Sequence, residues 1–445
     1  MTADRRPKEQ WGVLEFALGI AVLAGIVAVA NFLIRLGYLP DPFFHDVNDT
    51  FMDWYNPAYW AHNPGAYEIW GSVYPPMSFV FLRLFSVKSC YGLLASGFSA
   101  RSCDRVGVVA LAAFMLLNTG LAFLSFRKAG IRCAAPRAIA VGFGAPMLFA
   151  WERGNLIVPC FTFFVLAYGR LLRSGWLKLV CAAISVNFKP YLLIAAMGKL
   201  MRRDWLWLEG FGVCCAVVYA LAYVVLGEGT PVELLRDITG FAGTPAAPSL
   251  TSLRFSTSYS SLLYLLKALP LMYFVGSGPI ETIEGLVPIV IRLTALGTAV
   301  GLLAALWRPS AISTTRIVTL AMGLYYVAGG PGGYALSFLL FFVFLQRWNG
   351  LSGLVVLVSA YLWCIPWDYT ILNMTGQIGD SYLSGRRVIH DLNLTLGDLV
   401  RPGLILTLQL GVVAASIGDV LRGERFRRAA SSGAILPAGP VDAHG

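Results

Sequence analysis

Residues Trp11–Leu36 read WGVLEFALGIAVLAGIVAVANFLIRL, an apolar run interrupted only by the ionisable residues Glu15 and Arg35. A run of this length crosses a hydrocarbon core of about 30 Å as a helix. The block follows the basic stretch Arg5-Arg6-Lys8. It is too long for the apolar region of a signal peptide, and no small-x-small cleavage site leads into a soluble domain. It therefore reads as a first transmembrane helix with its amino terminus on the cytoplasmic side. Blocks of the same kind recur along the chain. Hydrophobic residues make up 57% of the 445 and charged residues 13%, against about 25% charged in a soluble domain. A transmembrane β-barrel would alternate apolar and polar residues, which these blocks do not. The expected class is an all-α polytopic integral membrane protein.

The net charge of +10 raises nucleic acid as a partner, but the placement of the charge argues against it. Lys and Arg gather in short clusters between apolar blocks: Arg127-Lys128-Arg132-Arg137, Arg170-Arg173-Lys178, Lys199-Arg202-Arg203 and Arg422-Arg425-Arg427-Arg428. That is the positive-inside signature of cytoplasmic loops. Parity between clusters then gives the topology. Segment 105–126 is a full crossing, and 77–87 is too short to span, so it reads as a re-entrant or interfacial helix on the outer side. Crossings follow at 138–152, 155–172, 176–188, 190–201, 205–226, 286–307, 317–331, 334–346, 351–366 and 402–420. About twelve crossings result, within a range of ten to thirteen because several are short or broken. Residues 1–10 form a cytoplasmic N-terminus and 11–346 the main transmembrane module with outer loops 37–76 and 227–285, the second carrying a short apolar helix at 260–275. Residues 347–421 add C-terminal helices with an outer loop at 367–399, and 422–445 form a basic, then disordered, cytoplasmic tail.

The breaks at Glu152-Arg153-Gly154-Asn155, Phe188-Lys189-Pro190 and Gly329–Tyr334 all fall on the outer side, where with the first loop they line one cavity. That loop holds Asp41, Asp46, Asp49 and Asp53 among many aromatics. Asp49 and Asp53 are four apart and share a face on a helical turn; such a carboxylate can take a proton from an acceptor hydroxyl. A solvated acidic loop with interfacial aromatics is the plainer reading, and His45, Asp46 and Asp49 are a weakly argued metal set. Arg153, Lys189 and Arg292 are charges at membrane depth and functional candidates by default. Arg offers a fork and Lys a point charge to a phosphate. For Glu152 and Arg153 the plainer reading is an ion pair at a helix end, and for Arg292 snorkelling to the interface. Arg254, in a Ser/Thr-rich outer segment, contacts a sugar, a phosphate or lipid headgroups. Cys90 and Cys103 flank an outer loop where oxidising conditions permit a disulfide.

The order of these pieces resembles the GT-C superfamily of polyprenyl-phosphate-sugar-dependent membrane glycosyltransferases, and within it glycosyltransferase family 87, of the mannosyltransferase type. Four short stretches carry the resemblance: Asp53-Trp54-Tyr55 followed by Tyr74-Pro75-Pro76 opening an apolar helix, the turn Arg153-Gly154-Asn155, the break Lys189-Pro190-Tyr191, and the Ser-rich segment Thr251–Ser261. Arg-Gly-Asn stands where many relatives have Gly-Gln, and the late loop with His390 and Asp391 matches no family pattern. The resemblance implies a metal-independent inverting transfer that needs no cofactor. Asp53 is the general base, with Asp49 second. Lys189 and Arg153, with Arg254 and Arg292, hold the donor phosphate or its lipid, while Asn155, Tyr74, Tyr55 and His390 contact substrate. The implied enzyme is a hexosyl- or pentosyltransferase, moving mannose or another monosaccharide from a polyprenyl-phosphate donor to an extracytoplasmic lipid, glycan or protein. Its expected place is the bacterial inner (plasma) membrane, with the active site on the extracytoplasmic side. The competing reading is a lipid-linked-glycan flippase or transporter, which predicts inverted repeats and midplane breaks. No clear repeat is present, and the breaks cluster on one side.

Overall fold

The computed structural model describes residues 11–43, 47–92, 96–243, 276–329, 332–373, 376–391 and 393–431. Arg254, the Ser-rich segment 251–261, the short helix expected at 260–275, and His45 and Asp46 lie outside these residues.

Five helices are long and apolar enough to cross a membrane: α1 (Gly12–Leu36), α5 (Val106–Lys128), α11 (Trp205–Leu226), α13 (Ser277–Trp307) and the apolar part of α17 (Leu396–Ser431). Four of them keep most of their apolar surface outside the bundle, with Leu206 and Val224 largely exposed. Exposed apolar faces of this extent belong against lipid rather than water. The molecule is a helical membrane protein.

Inside this ring stand shorter helices that are apolar all round, as buried helices are. They include α8 (Ile157–Tyr168) and α15 (Leu336–Phe344), while α9 (Gly175–Phe188) is buried toward Phe188 and exposed at Trp176 and Leu177. All nine residues of α15 are buried. Phe161 and Phe164 of α8 pack against Phe338, Phe341 and Phe342 of α15 at ring separations of 4.7–6.0 Å.

Several expected segments are reshaped. The segment 138–152 is two helices, α6 (Ala134–Phe143) and α7 (Ala145–Arg153), broken at Gly144 ahead of Pro146. A Cβ on Gly144 would lie 2.1 Å from the Ala140 carbonyl oxygen. The segment 190–201 is a 3₁₀ turn, Pro190–Ala196, followed by the single α-turn α10 (Met197–Leu200). The loop 367–399 is not irregular. It carries two antiparallel ribbons, β1 (Thr370–Leu372) with β4 (Leu394–Thr395) and β2 (Gly376–Asp380) with β3 (Arg387–Asp391). Its tight turns, among them Ser381–Gly385, were not recognised in the sequence. The basic tail is helical as far as Ser431, because α17 runs on without a break.

The two ends of the bundle differ in character. One end gathers the basic clusters: Lys128 donates to the Leu171 carbonyl at 3.3 Å, Arg347 to Gly130 at 2.7 Å and Arg202 to Ile312 at 2.6 Å. The other end gathers the first loop and the ribbons. There the Ser381 hydroxyl donates to the Gly37 carbonyl at 2.5 Å, and Asn393 donates to Asp41 at 2.7 Å.

Arg137 departs from its expected place. It was grouped with the basic loops, but it is fully buried between α1 and α6. Its Nε and Nη2 grip the Glu15 carboxylate at 2.6 and 2.7 Å, and Nη1 donates to the carbonyls of Phe344 and Gln346, each at 2.6 Å.

The disulfide between Cys90 and Cys103 is formed, closing a loop of sequence separation 13. Beside it sits Asp104, fully buried. Its side chain accepts from the Tyr91 hydroxyl at 2.8 Å and from the backbone of Val87 and Val106 at 3.1 and 2.9 Å. Loop-closure entropy for a ring of this size is about 3 kcal/mol. Cys103→Ser is therefore expected to lower the thermal midpoint of the detergent-solubilised protein by several degrees, and a reductant should do the same to wild type alone. A midpoint indifferent to both would show that the bridge stabilises nothing.

Candidate active site at the first loop

The site is assembled from helix ends. Helix α9 stops at Phe188 because Pro190 disfavours helical backbone at Lys189, which takes φ −139°, ψ 96°. Lys189 is thereby lifted off the helix end and is buried. Its ammonium lies over the ring of Tyr74, 4.4 Å from the centroid, a cation–π contact. Tyr74 precedes Pro75-Pro76, which open α3 (Pro76–Leu84); proline in the first turn suits a helix start.

Helix α7 ends at Gly154, whose φ of +70° fits glycine. A Cβ here would also lie 2.8 Å from the Phe51 carbonyl oxygen. This bare turn lets the first loop sit directly on it, and the Phe51 N–H donates to the Glu152 carbonyl at 2.8 Å. Phe51 adopts a left-handed φ of +62°, costly for a non-glycine residue and held by its packing. Its ring meets Trp151 and Tyr382 edge-on at 5.0 and 5.8 Å. From Phe51 the chain enters α2 (Met52–His62), so Asp53 occupies the first turn, at the positive end of that helix.

Arg153 forms ion pairs with both Asp49 and Asp53, the latter at 2.9 Å from Nη2 to Oδ1. The Asn155 amide donates to the other oxygen of Asp53 at 2.8 Å. The two aspartates thus share a face, although Asp49 ends a 3₁₀ turn (Val47–Asp49) and only Asp53 is in the α-helix. Arg153 reaches across to them and not to its neighbour Glu152, which is buried with one carboxyl oxygen lacking a hydrogen-bond partner among the described residues. Burial pushes the Asp53 carboxyl above its ordinary pKa, opposed by the Asn155 hydrogen bond and the charge of Lys189. The Arg153 contact acts in the same direction as those two. About a fifth of the Asp53 side chain, 22%, stays exposed, so the carboxylate remains reachable.

Asp53, Asp49, Arg153, Asn155, Lys189 and Tyr74 therefore come together as the sequence suggested. The others do not. Tyr55 is fully buried and donates its hydroxyl to the Asp104 carbonyl at 2.6 Å, anchoring α2 rather than facing the cluster. Arg292 is exposed on the flank of α13, in keeping with snorkelling. His390 lies in β3, its backbone paired with Gln377.

Two residues were missed. Tyr334, in the 3₁₀ turn Gly333–Ala335, experiences the charges of Asp53 and Arg153. The Gly-rich break that carries it was noticed; the phenol was not. Arg101 is buried and donates to the carbonyls of Asn48 at 3.1 Å and Thr50 at 2.7 Å, holding the segment that bears Asp49. Its proximity to Cys103 was the available signal. Among the described residues no group of three or more His, Cys, Asp or Glu is placed to hold a metal ion. Compared with models of protein families, with curated proteins and with solved structures, the chain matches none.

Proposed function

We propose that the chain is a membrane glycosyltransferase of the GT-C type, transferring a monosaccharide from a polyprenyl-phosphate donor to a hydroxyl on a lipid, glycan or protein acceptor. One observation carries this reading: a carboxylate held on both oxygens, Asp53 between Arg153 and Asn155, stands in the field of a buried cation, Lys189.

The chemistry follows from these roles. Asp53 takes the proton of the acceptor hydroxyl as that oxygen attacks the anomeric carbon. The bond from that carbon to the phosphate oxygen breaks, and its electron pair leaves with the polyprenyl phosphate. Attack opposite the leaving group inverts the anomeric centre. Lys189 stabilises the charge that develops on the phosphate, the kind of contribution that dominates such reactions. Arg153, committed to the two aspartates, positions the base. In this reading the end that gathers the basic clusters faces the cytoplasm by the positive-inside rule, and the site, at the other end, opens on the extracytoplasmic side.

The test is transfer in proteoliposomes supplied with radiolabelled polyprenyl-phosphate hexose or pentose and a membrane extract as acceptor. Lys189→Ala is expected to lower transfer by about 10²–10³-fold while leaving the protein level unchanged. Full transfer by this variant would remove Lys189 from the mechanism. Movement of intact labelled lipid across the bilayer with no new glycosidic bond would establish a flippase instead.

A further inference from the structure

The opposite, basic end of the same short helices holds a cavity of about 350 Å³ that the proposed reaction does not use. Arg170, Lys178 and Lys199 line it, and no Asp or Glu does. Lys199 is paired with Asp204 at 2.6 Å; Arg170 and Lys178 have no acidic partner within ion-pair reach among the described residues. Tyr168, at the end of α8, also belongs to the lining. The wall opposite is formed by Thr314 and Thr315, the first residues of α14 (Thr314–Gly329). Ser313 caps that helix start, its hydroxyl accepting from the Arg316 N–H at 3.1 Å, and the positive dipole end favours an anion. Deeper in, the lining turns apolar, with Val318, Phe342 and Leu345.

This is a polarised chamber: two cations without acidic partners and a helix start beside an apolar lining. Cations without acids select a polyanion, and a phosphate takes several donors at once. We propose that this cavity is a second binding site, for a phosphate-bearing ligand, with the phosphate between Arg170 and Lys178. Lys178 and Lys189 lie eleven positions apart along α9 and its cap, about 16 Å of helix rise, so the second site is separate from the Asp53 cluster. The phosphate has two sources, an anionic lipid headgroup with its chain on the apolar floor or a soluble phosphate.

The experiment is thermal unfolding of the full chain, titrated with inorganic phosphate in detergent and, separately, with phosphatidylglycerol in phosphatidylcholine nanodiscs. A ligand of the folded state raises the midpoint progressively as its concentration exceeds its Kd. The Arg170→Ala/Lys178→Ala variant should lose the response, its apparent affinity falling roughly tenfold or more. Both side chains are at least partly exposed, so the ligand-free midpoint should stay at the wild-type value. Arg127→Ala/Arg132→Ala removes the same charge from the same end outside the cavity and should keep the full response. A response to phosphatidylglycerol alone assigns the lipid, and a response to inorganic phosphate assigns the soluble ligand. The proposal is overturned if neither probe raises the midpoint, or if the cavity and control variants respond alike. Should the cavity variant prove unstable, Lys178→Gln supplies the second reading: loss of that charge alone must weaken the same response.

Discussion

Asp53→Asn is expected to reduce sugar transfer by about 10²–10⁴-fold, the range a positioned general base contributes. The substitution is nearly isosteric. Its amide oxygen still accepts one of the two bonds that Arg153 and Asn155 now make to the carboxylate at 2.9 and 2.8 Å. What disappears is the ability to take the acceptor's proton. Membrane level and thermal midpoint should therefore hold while product vanishes from the radiolabel assay. Asp49→Asn should be milder, because Asp49 meets the site only through the Arg153 guanidinium it shares with Asp53. Wild-type turnover by Asp53→Asn would remove Asp53 as the base.

The pH dependence carries a sign that separates chemistry from folding. Transfer needs the ionised carboxylate. Since burial raises the Asp53 pKa, the acid limb of the rate profile should lie above the ordinary aspartate range of about 3.9, with activity lost as pH falls through the raised value. Stability runs the other way at this residue. A folded-state pKa above the unfolded one gives a contribution that is fullest below the unfolded value and fades as pH rises through the folded one. An acid limb that coincided with unfolding would not come from Asp53.

The largest stability effect should follow from Arg137→Ala, expected to cost about 3–5 kcal/mol. Removing the guanidinium leaves Glu15, itself buried, as a charge without its partner, and strips the donors from the carbonyls of Phe344 and Gln346. The Tyr361 hydroxyl, 3.3 Å from the Glu15 carboxylate, is too little to compensate. Arg137→Lys should recover only part, since an ammonium cannot reproduce the bidentate grip. The double change Glu15→Gln with Arg137→Met should do better than Arg137→Ala, because no unpaired charge remains. Thermal unfolding in detergent reads all three. A near-wild-type midpoint for Arg137→Ala would mean the pair is not holding α1 to α6.

Arg137 also shows where sequence reading stops. Charge clusters carry sidedness on average, so the ends of the bundle and the long apolar helices were legible, including Trp205–Leu226 to the residue. A cluster does not say which of its members turns inward, because that depends on a partner 122 positions away. The site was legible for a related reason. Proline and glycine interrupt helices locally, and the interruptions at Gly154 and Pro190 mark Arg153, Asn155 and Lys189 without knowledge of the fold. Tyr334 shares such a mark, but Tyr55 and Arg101 have none. Tyr55 sits beside Asp53 in sequence but points to Asp104, and Arg101 works on carbonyls about fifty positions upstream. The ribbons in 367–399 were missed because their pairing is set by turns and by the first loop they rest on.

Because the proposed catalytic groups stand at helix ends, the length of each buried helix sets their alignment. One residue inserted into α9 advances Lys189 by about 1.5 Å and turns it by roughly 100°, enough to swing the ammonium away from Tyr74 and Asp53. The same holds for α7 and Arg153. An insertion in the stretch after Leu226 changes no such register. Tolerance to added or lost residues should therefore divide the chain sharply, with α7 and α9 intolerant of a single step. A deletion scan scored by transfer would map the site by its reading frame, without touching any of its side chains.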